Sequence, residues 1–384
     1  MSRGLPLAWL QLWHQKLRLL VAAAGVAFAV ILIFMQLGFR AALLGSATRF
    51  HDGLNGDLVL LSPTFDILVQ PKSFSRRRLA QAQRWREVAA VSPIYLEQSL
   101  WRHPDSGKTR SLFVIGVDPA DAGVVLPGVL EQRRVIQRPD VVLFDRLARP
   151  EFGPIAAAWD AGRAVRTEIN HRRVAVGGLF QFGTSFGIDG SVLTSETNFL
   201  RLYPRRSRSL IDVGLIRLRP GVDAPAVRDA MRASFPNDVI VLTKAEYALR
   251  EQAFWDSATP IGYVFTFGVI IGCVVGGIIV YQILFADVSE HLPEYATLKA
   301  LGYPNRYLFG VVLQQALILA ILGYLPGLLI SRGLYALATE ATRLPMYMTA
   351  PLAGAVLLLT VAMCGASGAI ALSRIRSADP AEVF

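Results

Sequence analysis

Cysteine is almost missing from this chain: 384 residues contain two, Cys273 and Cys364, both in apolar stretches. The polar middle has none, so it needs no disulfide, and the count fixes no compartment. No His/Cys cluster has the spacing of a zinc site. Charge is missing where an ion-coupled carrier would need it. The centres of the apolar stretches hold Gln36, Gln282, Gln314 and Gln315 but no Asp, Glu, Lys or Arg, which argues against a proton- or sodium-driven carrier. The glutamines read instead as hydrogen-bonding groups between helices, each worth about 1 kcal/mol. A phosphate loop is missing too. Gly107-Lys108-Thr109 invites that reading, but Arg102 stands where the motif needs glycine, and strand-like runs flank both sides. Ser185 lies in a formal G-x-S-x-G match, Gly183–Gly187, without a strand–turn–helix context, and His51-Asp52 and His171 are isolated. No nucleic-acid recognition motif accompanies the net charge of +10, so a basic protein facing anionic lipid headgroups is the better reading, with no nucleic acid partner.

Present in quantity are long apolar runs. They cover Leu19–Phe39, Ile261–Phe285, Leu308–Ile330 and Leu352–Leu372, each about the 20 residues that a helix needs to cross the hydrocarbon core. The layout is one plus three, with a polar stretch of roughly 200 residues between the first and second, long enough to bury a core of its own. The first run is too long for a signal-peptide core and is read as a retained helix. Expected is an α-helical membrane protein with four transmembrane helices and a large extracytoplasmic α+β domain inserted between the first and second. Residues 1–18 read as an amphipathic helix on the inner surface, with Trp9, Trp13, Lys16 and Arg18 at the interface, or else as the start of a long first helix. Residues 40–260 read as the outer domain with a helical stalk, 286–307 and 373–384 as inner segments, and 331–351 as a short outer loop. Arg3, Lys16 and Arg18 at one end and Arg374 and Arg376 at the other place both termini in the cytoplasm.

Within the outer domain, Asp57–Leu61, Ile94–Trp101, Ser111–Val117, Val141–Phe144, Arg173–Leu179 and Val213–Leu218 read as strands. Ser75–Val88, Ala224–Ser234 and Lys244–Asp256 read as helices. His103–Gly107 reads as a hairpin turn, and Gly183–Gly190 as a flexible loop. Gly268, Gly272 and Gly276 clear one face of the second span, which serves either packing within the chain or a dimer seam; Gly323 and Gly327 do the same in the third. Between these spans lies Leu292–Asn305 (LPEYATLKALGYPN). Pro293 suits a first helical position and Glu294 the first turn, while Gly302 and Pro304 stop the helix. Tyr295, Leu298 and Leu301 share a face, with Lys299 beside them. A bare connector needs only a few residues, so a short capped helix here reads as a docking surface for a cytoplasmic partner.

The segment Glu294–Tyr303 followed by a span resembles the coupling region of FtsX/MacB-type ABC permeases, the mechanotransmission or type VII group. The tail Ser377–Val383, with Asp379, Pro380 and Ala381, is similar to the motif that closes those chains. Leu7–Leu44 and His291–Gly327 look closer still to the DevC-type branch. The resemblance implies a homodimer of permeases in the bacterial inner membrane, bound to two copies of a cytoplasmic ABC ATPase. ATP and Mg would be held by that partner, with no cofactor, no metal and no catalytic residue in this chain. It further implies a periplasmic membrane-fusion protein and a TolC-like outer-membrane channel, with efflux of a glycolipid or another amphiphile and no passage of substrate through the spans. The alternatives are an FtsX-like transmitter that activates a cell-wall hydrolase and a lipoprotein-releasing permease.

The orientation is open to a direct check. In a background with Cys273 and Cys364 replaced by alanine, an impermeant maleimide should label Ser106→Cys and Arg205→Cys in intact cells and leave Asn305→Cys unlabelled. Labelling of Asn305→Cys would reverse the assignment.

Overall fold

The computed structural model describes residues 16–185, 187–291, 293–294, 297, 301 and 304–376. The chain forms two compact units: Leu43–Thr259, and a second built from the segments before and after it. Helix α1 (Lys16–Ala47) is followed by one turn, α2 (Arg49–Asp52). The Leu43–Thr259 unit then runs β1 (Leu58–Leu61), β2 (Phe74–Ser75), α3 (Arg76–Ala82), β3 (Val88–Arg102), β4 (Thr109–Val117), β5 (Val141–Asp145), α4 (Ile155–Asp160), β6 (Arg166–Ile169), β7 (Arg172–Phe180), β8 (Ser191–Ser195), α5 (Glu196–Leu202), β9 (Leu210–Ile211), β10 (Val213–Leu218), α6 (Ala224–Ser234), β11 (Ile240–Thr243) and α7 (Lys244–Ala253). Long helices α8 (Pro260–Glu290), α9 (Asn305–Thr342) and α10 (Ala350–Arg376) complete the described chain. Helices α1 and α8, with Phe309–Thr342 of α9 and Ala350–Leu372 of α10, are long and apolar enough to cross a membrane.

Nine strands make one sheet in the order β11-β1-β10-β3-β4-β8-β5-β7-β6. Strand β3 serves two neighbours in turn on its way through it. Residues Val88–Ile94 pair with β10, and Ile94–Arg102 pair with β4. The far end of the sheet returns to the same strand, because Trp101 pairs with Ile169 of β6 and the Asn170 amide donates to the Leu100 carbonyl at 3.2 Å. The Thr167 hydroxyl adds a bond to the Arg102 carbonyl. Strands β3-β4-β8-β5-β7-β6 therefore close into a ring, and β10, β1 and β11 form an open wing. The β4–β8 and β5–β7 pairs are parallel.

In β1, β5, β8, β10 and most of β4 both faces are buried, so these strands do not alternate apolar with polar, whereas β6 and the first half of β7 do. In β1 all four residues are buried: Leu58 and Leu60 enter a core with Trp101, Phe144 and Phe199, while Val59 and Leu61 enter another with Phe50, Phe65 and Tyr247. Each such side chain contributes about 1.5–3 kcal/mol when fully buried. Three helices start on the last residue of a strand. Ser75 caps α3, Ser195 caps α5, and Thr243 forms a capping box with Glu246 at the start of α7; each side chain accepts from an amide that the first turn leaves unpaired.

Most expected strands lie within one or two residues of the observed ones, and α6 matches its expected range. The expected helix Ser75–Val88 is shorter: it stops at Ala82, turns bonded from Arg84 to Gln81 and from Trp85 to Ala82 follow, and Val88 pairs with β10 as the start of β3. Strands β2, β6, β8, β9 and β11 went unread: β2 and β9 are two residues each, β6 is polar (RTEI), and β8 (SVLTS) and β11 are extended by neighbours that are distant in sequence. The G-x-S-x-G match leads into strand β8 rather than a helix, and Ser185 is buried with its amide on the Ile188 carbonyl. His103–Gly107 does turn β3 into β4, with Gly107 at φ +68°. After α7 a π-turn, Phe254–Ala258, leads to extended backbone at Thr259. Pro260 disfavours helical backbone in the residue before it.

Three buried carboxylates tie loops to the strands and helix beside them. Asp212, 1 % exposed, accepts from the Leu96 amide at 2.7 Å and the Ser73 hydroxyl at 3.0 Å, and pairs with Arg206. Asp145 accepts from the Leu147, Phe182 and Gly183 amides. Burial raises the carboxyl pKa of both. Glu251 accepts from the Leu68 amide and the Trp255 indole, each at 2.9 Å, and burial raises its pKa from 4.5 to about 7.

Asp212→Ala would leave the Leu96 amide unpaired and the half-buried Arg206 with Glu97 as its remaining carboxylate. It should cost about 1–3 kcal/mol, read as a lower thermal midpoint of the outer domain by tryptophan fluorescence. Glu251 gives a pH signature. Its folded pKa exceeds its unfolded one, so the folded state binds more protons between them and stability falls as pH rises from 4.5 to about 7. Glu251→Gln should flatten that slope.

Candidate coupling site

The four long helices share one apolar core, including Val26, Val30 and Ile33 of α1, Val280 and Leu284 of α8, Ala316 and Leu319 of α9 and Cys364 of α10. Their close approach depends on glycine. A Cβ added at Gly272 would meet Ile33 at 3.0 Å, and one at Gly276 would meet Ala29 Cβ and the Met363 sulfur, both at 2.6 Å. At Gly268 it would strike Gln36. The stripe Gly268, Gly272 and Gly276 thus faces α1 of its own chain. Gly323 and Gly327 of α9 face Val26 and Val30 of the same helix. Removing side chains lets helix backbones approach and gain dispersion contacts that lipid tails do not offer. The Tyr335 hydroxyl donates to the Phe34 carbonyl at 2.5 Å, and the Ser367 hydroxyl to the Gly277 carbonyl at 2.8 Å.

At the Glu290 end the bundle becomes polar. Arg18 of α1 pairs with Glu290 of α8 at 2.7 Å. One turn earlier, Asp287 is 3 % exposed and accepts from Gln315 Nε2 of α9 at 2.8 Å. The His291 amide donates to the Asp287 carbonyl at 3.1 Å, and His291 Nδ1 lies 3.7 Å from Asp287 Oδ1. A buried carboxylate therefore sits at the root of the segment that leads to α9. Sequence reading missed it because Asp287 falls just past the apolar run, in what looked like a solvated flank. The available signal was Asp287, Glu290 and His291 within about one turn, opposite a glutamine pair in the next span.

Of the expected coupling residues, Pro293 and Glu294 are helical and exposed, and Leu301 is 71 % exposed. The Thr297 hydroxyl donates to the Pro293 carbonyl at 2.9 Å, and the Leu301 amide to the Thr297 carbonyl at 3.0 Å, both at helical spacing. Pro304 is extended and caps α9. Tyr295, Leu298, Lys299 and Gly302, the tail residues Asp379, Pro380 and Ala381, and most of the expected amphipathic helix 1–18 lie outside the described residues. Among the described residues, no group of three or more His, Cys, Asp or Glu side chains could hold a metal.

A bundle of span-capable helices with glycine-mediated packing, joined to a large α+β domain, defines an integral membrane protein with an extramembrane domain. Residues 19–234 match the model of the MacB-like periplasmic core domain, and 259–380 that of the FtsX-like permease C-terminal region. The first match spans more than half of the chain, which belongs to the FtsX/MacB-like family of ABC transporter permeases, inner-membrane components that work with an ATPase partner. An uncharacterised ABC transporter permease found in two strains of Mycobacterium tuberculosis is 23 % identical over 380 residues, covering 97 % of this chain and 96 % of its own. The periplasmic region of MacB from Actinobacillus actinomycetemcomitans aligns at a TM-score of 0.36 and 11 % identity, over 52 % of this chain and 94 % of its own. The extracellular domain of the transporter YknZ from Gram-positive bacteria aligns at 0.30 and 9 %, over 49 % and 98 %.

Gly276→Leu should separate α8 from α1 and α10, costing about 1–3 kcal/mol. Gly354→Leu, where an added Cβ meets nothing within 4 Å, should leave the thermal midpoint of the solubilised chain unchanged.

Proposed function

We propose that this chain is the permease subunit of an efflux system driven by mechanotransmission. The bundle has a one-plus-three arrangement across the membrane, both termini and the segment after His291 are cytoplasmic, and the Leu43–Thr259 unit is periplasmic. Two permeases form a homodimer and bind two cytoplasmic ATPases, which hold ATP and Mg. Closure of the ATPase pair moves the coupling helix Pro293–Leu301. The long helices carry that motion to the outer domains, which drive an amphiphile into a fusion protein and a TolC-like outer-membrane channel. The observation that best supports this reading is the exposed helical turn at Pro293 and Glu294, placed directly after the buried Asp287–Gln315 tie. A push on an exposed surface reaches the bundle most directly where that surface is rooted in packed helices.

The apolar face of the coupling helix carries the test. A helix this short persists in water only with packing against a partner. Leu298→Asp puts a charge into that packing and should cost several-fold or more in binding. ATPase co-purification and export should be lost, while the permease still inserts and dimerises. Arg306→Ala, beyond the helix, should change neither. Retention of full ATPase binding and export by Leu298→Asp would refute the assignment. The purified chain alone should hydrolyse no ATP.

A further inference from the structure

The outer domain holds a cleft of about 850 Å³ between the β6–β7 turn and the chain that follows α5. We infer that this cleft binds a phosphate-bearing anion, either free or as the headgroup of a lipid. The inference stands apart from the export mechanism, since the cleft belongs to the domain itself.

Arginine dominates its lining: Arg172, Arg201, Arg205 and Arg206, with His171 beside them. The carboxylates that reach these cations are unevenly shared. Arg206 is committed to Asp212 and to Glu97 at 3.2 Å, and it lies over the Phe199 ring at 5.2 Å. Arg172 grips Asp140 with both arms, at 2.7 and 2.9 Å. Arg201 shares that same Asp140 from 3.8 Å. Arg205 is exposed, and among the described residues it has no hydrogen-bond or ion-pair partner. Two guanidinium groups on the wall formed by α5 and the chain after it are therefore weakly satisfied or unsatisfied, in a cleft whose other arginines are already fixed in place. A guanidinium fork matches the oxygens of a phosphate group and is more easily desolvated than an ammonium.

The backbone supports the same reading. Four non-glycine residues with positive φ occur among those described, and three of them flank Arg172: Asn170 at 49°, His171 at 62° and its partner Asp140 at 58°. Asn and Asp tolerate this region better than most residues, yet it still costs energy relative to extended backbone. The turn is held in that form by Asn170 Nδ2, which donates to the Leu202 carbonyl at 2.7 Å, and so joins the two walls of the cleft. The volume is within the range of small-molecule sites and far exceeds a lone phosphate, leaving room for the rest of a headgroup.

The test uses the full chain purified in a non-ionic detergent at fixed ionic strength, with binding followed by calorimetry. The probes are dihexanoyl phosphatidylglycerol, dihexanoyl phosphatidylcholine and inorganic phosphate. Wild type should bind phosphatidylglycerol at least tenfold more tightly than phosphatidylcholine, and Arg201→Glu/Arg205→Glu should lose at least tenfold of that affinity. Arg163→Glu, an exposed cation elsewhere on the domain, should lose none. Competition by inorganic phosphate would identify a site for the free anion, and its absence a site that needs the lipid headgroup; both uphold the anion cleft. Should the double variant fold poorly, Arg205→Ala, which breaks no contact, should still weaken binding severalfold. Equal binding of the two lipids, or equal anion binding by wild type and variants, would overturn the inference.

Discussion

The amide of Leu96 donates to Asp212 at the point where strand β3 passes from one partner to the next. Much of the outer domain rests on that bond. A strand of 15 residues can serve two sub-sheets only if it keeps one continuous pleat while its neighbours change. At the changeover an amide would otherwise face the interior unpaired, a loss of about 1–3 kcal/mol. Asp212 fills the gap, and its own burial is made tolerable by Arg206 and Ser73. The open wing and the closed ring are thereby parts of one folding unit.

In the helical bundle the governing constraint is different. Lipid tails are as apolar as leucine, so helices associate through close contact and hydrogen bonds rather than exclusion from water. Glycines on α8 and α9 let both approach α1; the Tyr335 hydroxyl bond to Phe34 fixes α9 against α1, and the Ser367 hydroxyl bond to Gly277 fixes α10 against α8. Polar residues gather toward the Glu290 end, where Asp287 meets Gln315 and Arg18 meets Glu290.

How legible each part was depended on how local its cause is. The four apolar helices were plain, since length and lack of charge suffice. Strands such as Val213–Leu218 were plain for a similar reason, being short, mostly apolar runs between turn residues. Strand β6 was hidden because its polar residues are held extended by β7 and by the end of β3, nearly 70 residues earlier in the chain. Ring closure had no local trace at all. The glycine stripe was visible, but its partner was not, because the pattern reads the same for a helix of the same chain and for one of a second copy. Asp287 was overlooked because burial of a charge depends on what the next helix brings to it.

Closure of the ring also governs how the domain can be recognised. A sheet edge with free amides and carbonyls accepts an incoming strand from another protein, and that is a common route to both assembly and aggregation. Here β6 spends its outer edge on β3, and among the described strands of the large sheet only the outer side of β11 is left. That edge is four residues long and runs straight into the capping box of α7. The large sheet therefore offers a neighbouring protein little backbone edge, and recognition of it falls mainly to side chains. Crowding of many copies in one membrane then carries little risk that their sheets will fuse into a continuous fibre.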